Sequence, residues 1–465
     1  MAERGAHDLV VVGGGSGGLG AAFAAARKGA RVAVVQEGPI GGECTFTGCV
    51  PSKALIEAAA RGAGFGEAMG AVARAVATVQ ATETPEVLAR EGIEVIPGRA
   101  RFTSPTTVAV DGLTLRADSV VIATGSAPTT PAVDGVDRVD HLTSEEVFHL
   151  ERQPRSLAIL GGGPTGVEVA QAFSRLGTQV TVVEALDRLL PGEEPGASAS
   201  LAEAFADHGI GVRLGEAVWK VEPLAAARAA RLRLHGGGTV EADALLVATG
   251  RAPRTGGLGL EAAGVRVDHR GFVITDAHLR TTARGVWAVG DVCGKALSTH
   301  AAYEMGRIAA TNALAPLAYR RFHPGRVPGV TFTDPEVARI GCTEAGAPRG
   351  ARVAEVANTE VDRAVVAGET RGFCKLIVGP RRVAGNLAGG RVLGATVVGP
   401  RAGEVVHEVA LAMRAHLFPA QLALTSHAYP TWSTAIQRAA ARCFIDVGGR
   451  RARPAGRAGG GEHRR

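Results

Sequence analysis

One phrase is written twice in this sequence, and it restricts the fold more than anything else. Asp8-Leu-Val-Val-Val12 is the unbroken apolar run of a strand buried on both faces. It leads at once into Gly13-Gly-Gly15-Ser-Gly-Gly18, a helical stretch to Lys28 and a second strand from Arg31 to Val35. The phrase returns at Ser156-Leu-Ala-Ile-Leu160, which runs into Gly161-Gly-Gly163-Pro-Thr-Gly166, a helix to Leu176 and a strand from Gln179 to Val183. In each copy the first glycine (Gly13, Gly161) permits a tight turn and the second (Gly15, Gly163) lets backbone approach a pyrophosphate. The third (Gly18, Gly166) allows close helix–strand packing, and the helix N-terminus faces the phosphates. A single cluster of this kind could be a glycine-rich turn; two in strand–turn–helix–strand context predict two dinucleotide-binding units in tandem.

The residue closing the second strand of each unit bears on which dinucleotide is held. Glu184 stands 23 residues after Gly161, where a carboxylate accepts from both ribose hydroxyls and repels a 2′-phosphate. That favours NADH over NADPH. The same offset in the first unit falls on Gln36, with Glu37 next, and either can meet a ribose.

A chain of 465 residues suggests about three domains. The net charge of +6 comes mostly from the end: from Gly449 onward there are six Arg and one Glu, leaving about +1 for the body. The Gly/Arg-rich stretch 449–465 reads as a disordered basic tail, not as a nucleic-acid arm. No stretch reaches the roughly 20 uncharged apolar residues of a membrane span, and the start lacks a signal-peptide layout. A cytoplasmic enzyme with no membrane or nucleic-acid partner is therefore expected. Six cysteines without framework spacing suit a reducing compartment, where an ordered pair points to catalysis.

That pair lies in Gly41-Gly-Glu-Cys44-Thr-Phe-Thr-Gly-Cys49-Val-Pro-Ser-Lys53. Zinc would want CxxC pairs or nearby His ligands, and neither is present, so no metal site is expected. Four intervening residues align two thiols poorly on a regular helix, so a disulfide requires a bend, which Gly48 supplies. Pro51 suits the first turn of a helix over Ser52–Ala60, which leaves Cys49 at a helix N-terminus, where the dipole favours a thiolate.

This segment resembles the active-site signature of the class I pyridine nucleotide–disulfide oxidoreductases, which include dihydrolipoyl dehydrogenase, glutathione reductase and mercuric reductase. The resemblance continues through Ala123-Thr-Gly-Ser-Ala-Pro128, Ala248-Thr-Gly-Arg-Ala-Pro253, Val286-Trp-Ala-Val-Gly-Asp291, Phe332-Thr-Asp-Pro-Glu336 and Val392-Leu-Gly-Ala395. It implies an α/β fold of two Rossmann-like domains followed by an α+β dimerisation domain. The FAD domain would comprise residues 1–148 and 284–325, the NAD(P) domain 149–283 and the interface domain 326–448. It further implies FAD, a nicotinamide nucleotide, a small-molecule acceptor and a homodimer in which each subunit completes the other's active site.

By resemblance Cys49 is the thiolate facing the flavin and Cys44 exchanges with the acceptor. Lys53 would pair with Glu168 beside the flavin N5, where a cation favours the anionic reduced ring. Asp291 matches the ligand of the ribityl hydroxyls, and Ala100 and Thr299 match positions that approach FAD chiefly through the main chain. Gly125 and Gly250 would end short strands returning near FAD and NAD respectively.

The sequence departs from dithiol-handling relatives near its end. Their His-Pro-Thr segment followed by Ser-Glu supplies an acid–base dyad; here His427-Ala-Tyr-Pro-Thr-Trp-Ser-Thr434 puts Tyr429 in the His place and Thr434 in the Glu place. A phenol with an ordinary pKa near 10 is a poor base at neutral pH. His427, two residues away, is the alternative base, although relatives with the full dyad also carry a His there. Tyr at this place resembles mercuric reductases, but their C-terminal cysteine pair is missing and Cys443 stands alone. Pro164 replaces a Tyr that gates the nicotinamide pocket in many relatives. The expected function is an FAD-dependent reductase whose acceptor is a small disulfide, a metal ion such as Hg(II) or a quinone. A dihydrolipoyl dehydrogenase and a non-catalytic FAD-binding sensor or scaffold are the alternatives.

Overall fold

The Asp8–Val12 run forms the inner part of strand Ala2–Val12 in a computed structural model, which describes residues 2–225, 228–315, 319–381 and 385–456. Leu9, Val10 and Val11 are fully buried, as a strand covered on both faces requires. The chain divides into two units. The first comprises Met1–Ala132, Asp140–Gln153 and Leu246–Pro324; the second comprises Val133–Val139, Pro154–Leu245 and Gly325–Arg465.

In the first unit, Val32–Gln36 and Leu113–Ile122 flank Ala2–Val12 in parallel, with Val12 level with Val35 and Ile122. Seven strands complete the sheet, Val286–Ala288 joining alongside Leu113–Ile122. Helix Ser16–Ala26 leaves the glycine turn and packs on helix Thr299–Leu314, glycine against backbone. A Cβ on Gly20 would stand 2.5 Å from the Tyr303 carbonyl oxygen, and one on Gly306 would overlap the Gly17 carbonyl. The unit resumes at Leu246, well ahead of the expected 284. Strand Arg251–Pro253 pairs with Ser126–Pro128, and the segment after it stays with this unit: Leu258 O accepts from Phe102 N at 2.7 Å and Val292 O from Val273 N at 2.9 Å.

The second unit repeats the dinucleotide phrase, with Ser156–Leu160 parallel to Gln179–Glu184 and helix Pro164–Arg175 between them. The repetition extends to backbone detail. Gly13 and Gly161 both have positive φ, +109° and +115°. A Cβ on Gly18 would fall on the Gly13 carbonyl oxygen, and one on Gly166 on the Gly161 carbonyl oxygen, so each helix sits as close to its strand end as atoms allow. Beside this lies a six-stranded sheet from the C-terminal part, covered by helices Ala402–Ala415 and Thr434–Arg442. Its core includes Ile340, Val356, Leu376, Val406, Val409, Ile436 and Ala440.

The expected disordered tail is overturned for its first eight residues. Arg453–Pro454 adds to the edge strand Arg352–Ala357, with Ala452 N donating to Arg442 O and Ala455 N to Ala351 O. A charge pair that composition alone could not show explains why: both terminal nitrogens of Arg453 bond the Glu344 carboxylate, which also accepts from Lys375 at 3.0 Å and from Gly456 N. Residues 457–465 of the tail lie outside the described residues.

Two outcomes are expected. G166A, which drives a methyl into the Gly161 carbonyl, destabilises the protein by about 1–3 kcal/mol in thermal unfolding; G163A, where a Cβ meets nothing within 4 Å, leaves the unfolding midpoint unchanged and weakens dinucleotide binding. The second concerns Glu344, whose carboxyl is pushed down to about 2 chiefly by Arg453. A depressed carboxyl stabilises the fold above its unfolded pKa, and that contribution fades as pH falls toward 2. The cost of R453A in chemical unfolding is therefore largest near neutrality and shrinks between pH 4.5 and about 2.

Candidate active site

Gly41 and Gly42, both at positive φ, open a five-residue helix, Gly42–Phe46, that carries Cys44. Gly48 then makes the bend: a Cβ there would stand 2.8 Å from the Glu43 carbonyl oxygen. The next helix begins at Cys49 itself and runs to Ala60, three residues earlier than the expected start at Ser52. Pro51 still sits in its first turn, where its missing N–H costs nothing. Cys49 is thus the first residue of a twelve-residue helix, in the field that favours a thiolate.

Both cysteines are partly buried thiols. The Cys44 thiol donates to Cys49, and that bond together with burial pushes Cys44 far above the ordinary thiol range. Thr299, at the start of its helix, brings its hydroxyl to 3.1 Å from Cys49 Sγ. Thr299 was expected to approach FAD chiefly through its main chain; its hydroxyl is also within hydrogen-bond reach of Cys49, where either atom can be the donor.

The two Ala-Thr-Gly-x-Ala-Pro motifs meet as a two-stranded antiparallel ribbon, Ser126 level with Pro253 and Pro128 with Arg251. Their repetition in the sequence was the signal for this pairing, and sequence reasoning passed over it. Gly125 and Gly250, both at positive φ, lie at the turns into these strands. The ribbon gathers residues not singled out earlier. Arg251 bonds Glu43, the neighbour of Cys44, and donates from Nε to Ser126 Oγ at 2.7 Å. Ser126 Oγ in turn donates to Asp291 Oδ2 at 2.7 Å. Arg254 reaches Glu43 at 3.3 Å and Glu145 at 2.7 Å.

At each strand end the expected ribose residue first serves its own turn. Gln36 Oε1 accepts from Gly14 N at 2.6 Å, and its amide nitrogen donates to the Glu37 and Pro39 carbonyls. Glu184 accepts from Gly162 N at 2.7 Å and from Leu186 N at 2.8 Å. Each carboxylate oxygen has further lone-pair capacity, so Glu184 can still accept from a ribose, whereas the Gln36 amide is turned into its loop. Glu37 is exposed, and Ala100 is a buried strand residue. The turns fit a dinucleotide: neither helix has a side-chain cap, a Cβ on Gly15 would meet nothing nearer than 3.8 Å, and one on Gly163 nothing within 4 Å.

Lys53 lies on helix Cys49–Ala60 in the first unit and Glu168 on helix Pro164–Arg175 in the second. Glu168 is 5% exposed, and its Oε1 accepts from Phe332 N at 2.8 Å. The C-terminal segment is also in the second unit. His427, whose side chain is 6% exposed, donates from Nδ1 to Thr425 O at 2.8 Å and meets Glu408 Oε1 through Nε2 at 3.0 Å. Both ring nitrogens of His427 are thus hydrogen-bonded, one to backbone and one to a carboxylate. Tyr429 is 75% exposed, and its hydrogen bond to the Asp362 carboxylate raises the phenol pKa above the ordinary value. Thr434 starts a helix, and its hydroxyl donates to Thr431 O at 2.7 Å. Cys443 is 1% exposed and burial pushes its thiol up to about 12. Pro164 is the first residue of its helix.

The family model for the pyridine nucleotide-disulphide oxidoreductases matches residues 7–306, and that for the dimerisation domain of the same family matches residues 327–440. The chain is 37% identical over 470 residues to a mercuric reductase of Streptomyces lividans, covering 95% of this chain and 97% of that one. It is 36% identical over 456 residues to a dihydrolipoyl dehydrogenase of Thermus scotoductus, covering 93% and 96%. Among solved structures, the Cu(II) complex of the HOCl-induced flavoprotein disulfide reductase RclA from Escherichia coli superposes with a TM-score of 0.83 at 28% identity, covering 94% of this chain and 99% of that one. With its paired cysteines, its two dinucleotide turns and its dimerisation domain, the chain belongs to the pyridine nucleotide-disulphide oxidoreductase family, as an FAD-dependent disulfide oxidoreductase.

Proposed function

We propose that this enzyme uses NADH to reduce the Cys44–Cys49 disulfide, and that the resulting dithiol serves an acceptor needing no enzyme-held base, a soft metal ion before a quinone or a small disulfide. The observation that carries this reading is the state of the C-terminal segment. His427 is tied at both ring nitrogens, and Tyr429 is a phenol kept neutral by Asp362. Dihydrolipoamide must lose a thiol proton to exchange with a disulfide, and a positioned base is worth about 10²–10⁴ in rate. A soft metal ion binds thiolate sulfur without that help. The Streptomyces relative is named a mercuric reductase and the RclA structure holds Cu(II), which supports the same choice.

Bound FAD would supply the two-electron relay between the nicotinamide and the cysteine pair. The chain's own residues set up the pair for it. The start of helix Cys49–Ala60 and the Thr299 hydroxyl would stabilise charge on Cys49, while Cys44 meets the acceptor. Lys53 and Glu168 would complete the flavin side as an ion pair. Glu184 at the end of its strand favours NADH over NADPH, and a homodimer would bring Tyr429 to the partner's cysteines. Cys443, buried and with its thiol held protonated, offers no second thiol to relay a metal ion.

An anaerobic panel tests the reading: NADH or NADPH against Hg(II), Cu(II), a benzoquinone, glutathione disulfide and lipoamide. Turnover with a metal ion should exceed lipoamide turnover by about 10², and C44S should abolish it. Lipoamide rates equal to the metal rates, cut 10²-fold by H427A, would instead make the enzyme a dihydrolipoyl dehydrogenase. On this reading H427A costs about 1–3 kcal/mol of stability, from Glu408 left half-buried without its partner, and leaves turnover within about twofold. T299V should shift the pH midpoint of the thiolate–flavin charge-transfer absorbance upward, since the thiolate loses a donor; an unmoved midpoint would remove Thr299 from the account.

A further inference from the structure

The helix that carries Cys44 has five residues, too short to hold its own shape in water. Its orientation depends on tethers from outside. Thr45 Oγ1 donates to Glu83 Oε2 at 2.7 Å on one side, and Glu43 is gripped by Arg251 and Arg254 on the other. The second tether does not stop at the arginines. Arg251 Nε can only donate, so Ser126 Oγ accepts from it and directs its own proton to Asp291. Ser126 is 2% exposed, and both arginines also donate to its carbonyl, Arg251 at 3.1 Å and Arg254 at 2.9 Å. Arg251 Nε lies 3.7 Å from Asp291 as well, so one guanidinium serves both carboxylates.

We infer that Glu43, Arg251 and Ser126 form a clamp that fixes the Cys44 turn and the Asp291 carboxylate in a single arrangement, as positioning residues for the acceptor-facing sulfur and for the flavin's ribityl chain together. The inference rests on the proposed roles of Cys44 and Asp291. It adds that a change at either end is felt at the other. Glu43 is not free to let go: burial raises its carboxyl pKa while the two guanidinium groups lower it, and either partner left alone would be a charge without compensation. Arg251 donates to both Glu43 and Ser126, and Ser126 donates on to Asp291, so removing the Ser126 hydroxyl takes away the hydrogen-bonded link between Arg251 and Asp291 and leaves the Arg251–Glu43 bond in place.

The test uses the FAD-loaded enzyme as wild type, E43Q, S126A and the double variant E43Q/S126A. Two quantities are measured: the rate of flavin release, by its fluorescence, and the rate at which iodoacetamide alkylates Cys44 after anaerobic reduction by NADH, located by peptide mass. Each single variant should change both rates by about threefold or more, and the double variant should fall short of the product of the two by a similar factor, as coupled neighbours do. R251K, which keeps the charge but loses the fork that bridges Ser126 and Glu43, should behave as S126A does. The clamp is overturned if S126A alters flavin release alone, E43Q alters alkylation alone, and the double variant shows the simple product. Failure of the functional reading looks different: NADH would expose no alkylable thiol in the wild type, while the flavin-release cycle would still report whether Glu43 and Ser126 are coupled.

Discussion

Two carbonyl oxygens, those of Gly13 and Gly161, stand where a side chain on Gly18 or Gly166 would begin. This contact between a turn and the helix it launches is the constraint on which the rest of the structure depends. It sets both helices with their first N–H groups open, uncapped by side chains, at the ends of parallel strands. Once that geometry is fixed, the residue closing the next strand must meet the same turn. Gln36 and Glu184 both do so, each accepting from the N–H of the middle glycine. A similar economy places the cysteines: Gly48 lets the chain fold back on the Glu43 carbonyl, so that Cys49 begins a helix while Cys44 stays in the turn before it.

Much of this could be read from the residues alone because it depends on near neighbours. Glycine at a fixed spacing after an apolar run has few structural uses, and two cysteines flanking a Gly with a Pro two residues on nearly dictate a bend followed by a helix. What could not be read involves partners distant in the chain. The Thr299 hydroxyl meets Cys49 across 250 residues, and Arg251 meets Glu43 across 208. Glu408, which meets the His427 ring, lies on helix Ala402–Ala415 and carries no local mark of that contact. The return of the chain to the first unit is marked by the pairing of Arg251–Pro253 with Ser126–Pro128, whose clue was a repeated six-residue motif.

The C-terminal end shows composition misleading for a physical reason. Six arginines among glycines resemble a solvated tail, yet Arg453 finds Glu344, already held by Lys375, and the backbone beside it finds a free sheet edge. Arg450 and Arg442 both bond Glu360 in the same way. A charge run is a surface feature only while its counter-charges are elsewhere. Here they stand beside the sheet, on Glu344 and Glu360, and the added strand covers an edge that would otherwise offer unpaired N–H and C=O groups to another chain.

The glycine-on-backbone contact between helix Ser16–Ala26 and helix Thr299–Leu314 has a consequence in time as well as in space. The helix that opens toward the first dinucleotide is supported from one side by residues made almost three hundred positions later, with Gly20 against Tyr303 and Gly306 against Gly17. During synthesis, the N-terminal strand and turn must wait, their apolar surface partly bare, while the whole inserted segment from Pro154 to Leu245 emerges and folds. Closure of this helix pair depends on long-range contact, and not on local helix formation alone.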